Sequence, residues 1–165
     1  MLTAKDYIQQ LELTAHVEGG YYKESFRSDL LLPSNALPER FTGDRVASTH
    51  IYFLLEFGQC SKLHRIASEE HWHFYAGNSL EIIELNTQNQ LIIHKLGNRI
   101  EKGEKFHVVI PAGSWFGSRC TLPNGFSLVG CTVAPGFDFN DFEMGDRSEL
   151  LVQFPDFQEF IMELT

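Results

Sequence analysis

Residues 64 to 77 read HRIASEEHWHFYAG, three histidines and two adjacent carboxylates ahead of a glycine. Side chains of these types support metal ligation or general acid–base chemistry, and a strand with polar decoration would also carry them. In extended backbone alternate side chains share a face, so Glu70 goes with Trp72 and Phe74 while His71, His73 and Tyr75 take the other side. Only a bulge would turn His73 inward, and it is kept as a candidate catalytic residue beside His64 and Glu70. A carboxylate facing a barrel interior must be paired or become protonated, because an unpaired buried charge is costly. His64 next to such a carboxylate has the arrangement of a general base with its orienting partner, a device worth about 10²–10⁴-fold in rate.

Inversion at carbon needs an acid on the opposite face of the substrate, and Tyr22, Tyr52 and Tyr75 qualify by type. Trp72 and Trp115 suit stacking on a planar or sugar-like ligand, although a barrel must also fill its interior with such side chains. In EGGYYKESFRS, Glu18 and Arg27 flank two tyrosines. The Arg27 guanidinium can hold a phosphate or carboxylate through its fork, or the same charges can protect an exposed edge strand. Glu18, Tyr22, Arg27, Tyr52, Trp72 and Trp115 are therefore the candidate ligand-binding residues. In CTVAPGFDFNDFE, Pro135 and Gly136 punctuate the backbone and the phenylalanines that follow are placed to cover an open barrel end. His50 shares a strand face with Tyr52 and Glu56, away from the apolar Ile51, Phe53 and Leu55.

The elements that must position these groups are short. From Ser48 onward β-rich runs recur (STHIYFLLEF, HWHFYA, SLEIIEL, QLIIHKL, KFHVVI, SWFGSRC, FSLVGCTV), separated by Gly and Asn turns. This pattern predicts an antiparallel sandwich or barrel, not a doubly wound sheet. Thr3 and Asp6 predict a capped N-terminal helix carrying Tyr7, Ile8 and Leu11 on one face. Two short helices are predicted near the end, in DRSELLVQF and, after Pro155, in DFQEFIMEL, both packed outside the barrel. LLLPSNALPERFTGDR has no period and reads as a long loop.

At 165 residues, with 43% apolar content and no linker or second core, residues 1–165 are expected to form one domain. The net charge of −9 (13 basic against 22 acidic residues), without a basic block, argues against nucleic acid as a partner. Cys60, Cys120 and Cys131 are widely spaced, which disfavours a disulfide framework and suits a reducing cytoplasm. The N-terminal residues lack the apolar run of a secretion signal, and no membrane span is expected. GxSxG, GxxxxGK[ST], HExxH and GxGxxG motifs are missing, so serine hydrolase, P-loop and simple dinucleotide readings lack support.

The spacing of Gly58, His64, Glu70 and Gly77 follows the first cupin signature, with Ile66 in place of its second histidine. In the second signature PAGSWFGSRC keeps Pro111 and Gly113 but has Phe116 at the histidine and Cys120 at the asparagine. The segments HVEGGYYKESFRS, IYFLL, WHFYAG and LVGCTVAPGFDFNDFE resemble, more narrowly, Cupin family 5. The resemblance implies a mainly β, cupin-type antiparallel barrel (double-stranded β-helix or jelly roll) like that of the dTDP-4-dehydrorhamnose 3,5-epimerases, and a homodimer. It implies no settled reaction. Two of the four usual metal ligands are replaced, so neither a tightly held metal nor another cofactor is expected. The expected partner is a small sugar-like or carboxylated metabolite. Isomerisation or epimerisation, non-catalytic binding, and a metal-dependent oxygenase or isomerase remain open.

Overall fold

The computed structural model describes residues 2–165. Its first element, α1 (Ala4–Gln10), has the expected capping box: the Thr3 side chain accepts from the Asp6 N–H while the Asp6 carboxylate accepts from the Thr3 N–H. Thirteen strands follow among the described residues. They are β1 (Thr14–Ala15), β2 (Tyr21–Arg27), β3 (Leu31–Leu32), β4 (Arg45–Val46), β5 (Thr49–Glu56), β6 (Cys60–Arg65), β7 (Glu69–Gly77), β8 (Leu80–Leu85), β9 (Leu91–Leu96), β10 (His107–Ile110), β11 (Trp115–Cys120), β12 (Phe126–Ala134) and β13 (Glu143–Met144). The chain closes with α2 (Arg147–Gln153) and α3 (Gln158–Glu163), and Pro155 opens the 3-10 turn between them. No helix of the described residues is long and apolar enough to cross a membrane.

The strands make a six-stranded sheet, β1-β2-β5-β12-β7-β10, and a five-stranded sheet, β13-β6-β11-β8-β9, both paired antiparallel. This is a mainly β cupin fold of two sheets, with one helix before the barrel and short helices after it. The segment read as a long loop contains a small ladder, β3 on β4, and a 3-10 turn at Ser34–Ala36. Its strands of two residues each are too short to leave a periodic signal.

Alternation explains the core. Phe53, Leu55, Trp72, Val129, Cys131 and Val133 of the six-stranded sheet point inward and meet Leu80, Ile82, Phe116 and Cys120 of the other sheet. The two outer faces are covered unequally. On the five-stranded sheet, Leu63, Ile83, Leu85 and Trp115 are buried under Leu150, Phe154, Ile161 and Leu164 of the C-terminal segment. On the six-stranded sheet, α1 covers one end, where Leu54 and Leu128 are buried with Tyr21, Tyr52, Ala76 and Phe126 around them. The remainder of that outer face carries His50, His71, His73 and His107, which are half-buried or exposed.

Candidate functional site

The inner face of β2, β5, β7 and β12, together with His64 and Ile66, encloses a cavity of about 460 Å³ at one end of the barrel. Its floor is built from two directions. β6 delivers His64, which is 2% exposed and packed on Phe116 at 4.2 Å between ring centroids. The turn from His16 to Gly20 delivers Glu18, and here glycine is required. Gly19 has φ +111°, and a Cβ on it would lie 2.1 Å from the Cys60 carbonyl oxygen, so only glycine lets the turn seat on β6. The Lys62 N–H then donates to the Glu18 carbonyl at 2.9 Å, and Ser61 Oγ donates to Glu18 Oε2 at 2.9 Å.

These contacts fix the chemistry of the floor. His64 Nδ1 lies 2.7 Å from the Lys62 carbonyl, which can only accept, so the proton sits on Nδ1 and the Nε2 lone pair is free. Nε2 faces Glu18 Oε1 at 3.4 Å. His16 Nδ1 accepts from the Glu18 N–H at 3.3 Å and stands 3.7 Å from the same Oε1. The His16 lone pair is thus taken by the Glu18 N–H, and the free lone pair of His64 Nε2 faces the carboxyl oxygen, an arrangement that favours a proton on Glu18. Burial pushes Glu18 up to about 7, against the opposing pull of His16 and the Ser61 hydroxyl. Burial also pushes Glu70 up to about 8, helped by the charge of Glu18 and opposed by a hydrogen bond with the Cys131 thiol. The same burial holds His64 down at about 4, so it is neutral around pH 7.

Of the residues singled out from the sequence, Glu18, Tyr22, Arg27, His64, Glu70 and Trp72 line this cavity. His64 and Glu70 share it, but the carboxylate that His64 faces is Glu18, so the orienting role assigned to Glu70 is corrected. Arg27 is at the mouth in a two-point pair with Glu24, at 3.1 and 2.7 Å, and its remaining nitrogen donates to the Phe137 carbonyl at 3.4 Å. Phe137, Asp138 and Phe139 cover the opening, and the Phe137 N–H is held by Thr49 Oγ1 at 3.0 Å. Arg45 pairs with Asp141 behind this cover, both side chains buried.

Four candidates lie elsewhere. His73 is on the outer face: β7 does bulge, but at Tyr75, between the pairs Val129↔Phe74 and Leu128↔Ala76, which is too late in the strand to turn His73 inward. It stacks with His107 at 4.8 Å, and His107 Nε2 lies 3.0 Å from His71 Nδ1. Tyr52 is on the same outer face, edge-on to Tyr75 and against the α1 cluster. Tyr75 is outside as well, its hydroxyl 2.9 Å from His50 Nε2. Trp115 points away from the cavity into the layer under α2 and α3, with the Arg65 guanidinium 4.5 Å above its ring. Tyr22 is thus the one of the three candidate phenols that lines the cavity. Sequence reasoning missed His16 and Cys131. The His-x-Glu spacing of His16 and Glu18, and the alternation of Cys131 with Val129 and Val133, were the available signals.

The cupin fold is associated with a metal held by three histidines and a glutamate, and the donor set here does not fit one. Ile66 and Phe116, 4% and 1% exposed, put apolar groups at the two missing ligand positions, and no group of three or more His, Cys, Asp or Glu among the described residues is arranged to hold a metal ion.

Two sheets closed around a polar-floored cavity define a cupin barrel. The family model described as Cupin superfamily (DUF985), Cupin_5, matches residues 5–145, and the chain belongs to this family. Uncharacterized protein YML079W of Saccharomyces cerevisiae is 31% identical over 149 residues, which cover 81% of this chain and 71% of that one. A hypothetical protein from Leishmania major superposes with a TM-score of 0.91 at 33% identity, covering 99% of both chains. Protein SO0799 from Shewanella oneidensis does so with a TM-score of 0.88 at 39% identity, covering 100% of this chain and 98% of that one.

Proposed function

We propose that the barrel binds a small hydroxyl-rich metabolite and moves a proton on it, as an isomerase or epimerase does. The observation that carries this reading is a closed floor on which Glu18, held near pKa 7, faces the unprotonated Nε2 of a neutral His64 at 3.4 Å. A group whose proton affinity matches the working pH is the best general acid–base catalyst. The Glu18 carboxylate takes the proton from a carbon next to a carbonyl, the electron pair moves onto the carbonyl oxygen, and a proton returns to carbon, so no co-reactant is consumed. Neutral His64 orients the Glu18 carboxyl through Nε2, Tyr22 is the phenol available to return a proton on the opposite face, and both Glu18 and Tyr22 re-equilibrate with solvent between turnovers.

A cavity of about 460 Å³ is within the usual range for small-molecule sites and suits a monosaccharide-sized ligand. The carboxylated half of the expectation finds less support, because Arg27 is already committed to Glu24 and the floor has no cationic side chain.

The test is exchange of carbon-bound hydrogen with deuterated water across a panel of small aldoses and ketoses. Exchange is expected in the native protein and slower by about 10²–10⁴-fold in Glu18→Gln. Binding without exchange in both proteins would instead favour a non-catalytic binding barrel. Near-stoichiometric transition metal in protein purified without added metal would revive the oxygenase reading.

A further inference from the structure

The ionisable side chains of the cavity floor are two carboxyls and two imidazoles, with no ammonium or guanidinium among them. His64 Nε2 presents a lone pair while its Nδ1–H donates to the Lys62 carbonyl, the His16 Nδ1 lone pair is taken by the Glu18 N–H, and the Trp72 indole N–H is buried without a partner. Glu70 is 8% exposed and lines the cavity, yet among the described residues no N–H or O–H group donates to its carboxyl oxygens; its neighbour is the weak thiol donor of Cys131. Higher in the cavity, Arg27 is paired with Glu24, Asp138 adds a further carboxylate at the mouth, and Tyr22 has one hydroxyl. Thus Glu18, Glu24, Glu70 and Asp138 face a single guanidinium that is already engaged. The walls are aromatic at Tyr22, Phe53 and Trp72, below Phe137 and Phe139 at the opening. Two buried carboxyls without a cationic partner are unfavourable once ionised, and aromatic faces attract cations.

Resting on the reading of this cavity as a metabolite site, we propose that its ligand is a small hydroxylated amine bound as the ammonium ion, with its N–H groups seated between Glu18 and Glu70. An ammonium group brings several donors on one atom and a charge that both carboxyls can share. Its arrival draws Glu18 and Glu70 into the ionised form and releases protons to solvent. A neutral polyol would supply donors but no charge, and an anion would meet only carboxylates.

Two matched sets of probes test the assignment: ethanolamine, ethylene glycol and glycolate, and glucosamine, glucose and glucuronate. The measurements are the Trp72 indole NMR signal, which reports occupancy of the cavity, and calorimetry in buffers of different ionisation heat, which counts protons. At about pH 6.5 the amines are charged and both carboxyls start largely protonated. The amine of each set is expected to bind at least about tenfold more tightly than its neutral partner, with net proton release. Glu70→Gln is expected to erase that preference, and proton release by the native protein gives the same answer independently of any variant. If glucose or glucuronate moves the Trp72 signal as strongly as glucosamine, the cavity is a metabolite site but not one for amines. If no probe moves it, both the amine assignment and the metabolite site fall.

Discussion

Inside the barrel, His64 is buried and His16 half-buried, each with one ring nitrogen fixed by backbone, and they face a carboxyl group. Across the six-stranded sheet, His71, His73 and His107 lie in a nearly parallel stack on the outer face, 4.8 to 6.5 Å apart, with no carboxylate bonded to them. The same side chain is thus put to two uses by its surroundings. In the cavity, desolvation and neighbouring carboxyls tune proton affinity. On the outer face the rings are partly hydrated, and His73 is held down by partial burial and its histidine neighbours. An HxH sequence by itself does not mark a site; its position relative to the pleat decides.

The largest difference between the two regions should be in stability. Trp72→Ala removes a side chain buried in the central core and is expected to cost about 3–5 kcal/mol, whereas His73→Ala, one residue along on the outer face, should cost less than about 1 kcal/mol. Chemical denaturation of the two variants checks this, and similar losses would mean that the outer face is not free.

The pH dependence of folding sharpens the contrast further. Glu18 and Glu70 hold their protons more tightly folded than unfolded, so their contribution is full below 4.5 and is lost as pH rises through about 7 and about 8. His64 has the opposite sign: its contribution is full above 6.5 and is lost as pH falls through about 4. Between 6.5 and 8, therefore, the carboxyls alone of these three act, and stability should fall as pH rises. Each carboxyl that stays protonated contributes a slope of at most about 1.4 kcal/mol per pH unit. Glu70→Gln cannot ionise and should flatten the profile, as read from thermal melts across this range. A native profile that is flat or rising there would contradict the burial argument.

The smallest effect belongs to the outer stack. His73 is held below the usual imidazole value first by partial burial and then by His107, His50 and His71. His107→Ala removes the first of these histidines, so the His73 titration followed by NMR should move back towards its ordinary range by a fraction of a pH unit, while the Trp72 signal stays unchanged. A change at Trp72 would show that the two faces communicate through the sheet.

The fold was largely legible because each signal was local. Alternation along STHIYFLLEF and HWHFYA, turn residues between strands, and the Thr3–Asp6 capping pair all act over a few residues. The site was legible in part. Alternation correctly grouped Glu70 with Trp72 and separated both from His73. It could not say that Trp115 faces the C-terminal helices, because both faces of β11 are buried and the apolar pattern is continuous. Nor could it pair His64 with Glu18, since that contact joins a turn to a strand more than forty residues away and depends on the left-handed Gly19. Alternation put Tyr52 opposite Phe53 and Leu55, where it lies, but its phenol packs with α1 and Tyr75 and does not line the cavity it was listed for.

Carbon-detected NMR titration of the glutamate carboxyl groups, with Glu18 and Glu70 assigned through their Gln variants, tests most directly whether the barrel floor is poised for proton transfer. The account requires midpoints near 7 for Glu18 and near 8 for Glu70 in the free protein. Titration of both groups near 4.5, as for solvated glutamates, would leave the floor without a proton to move and would contradict it.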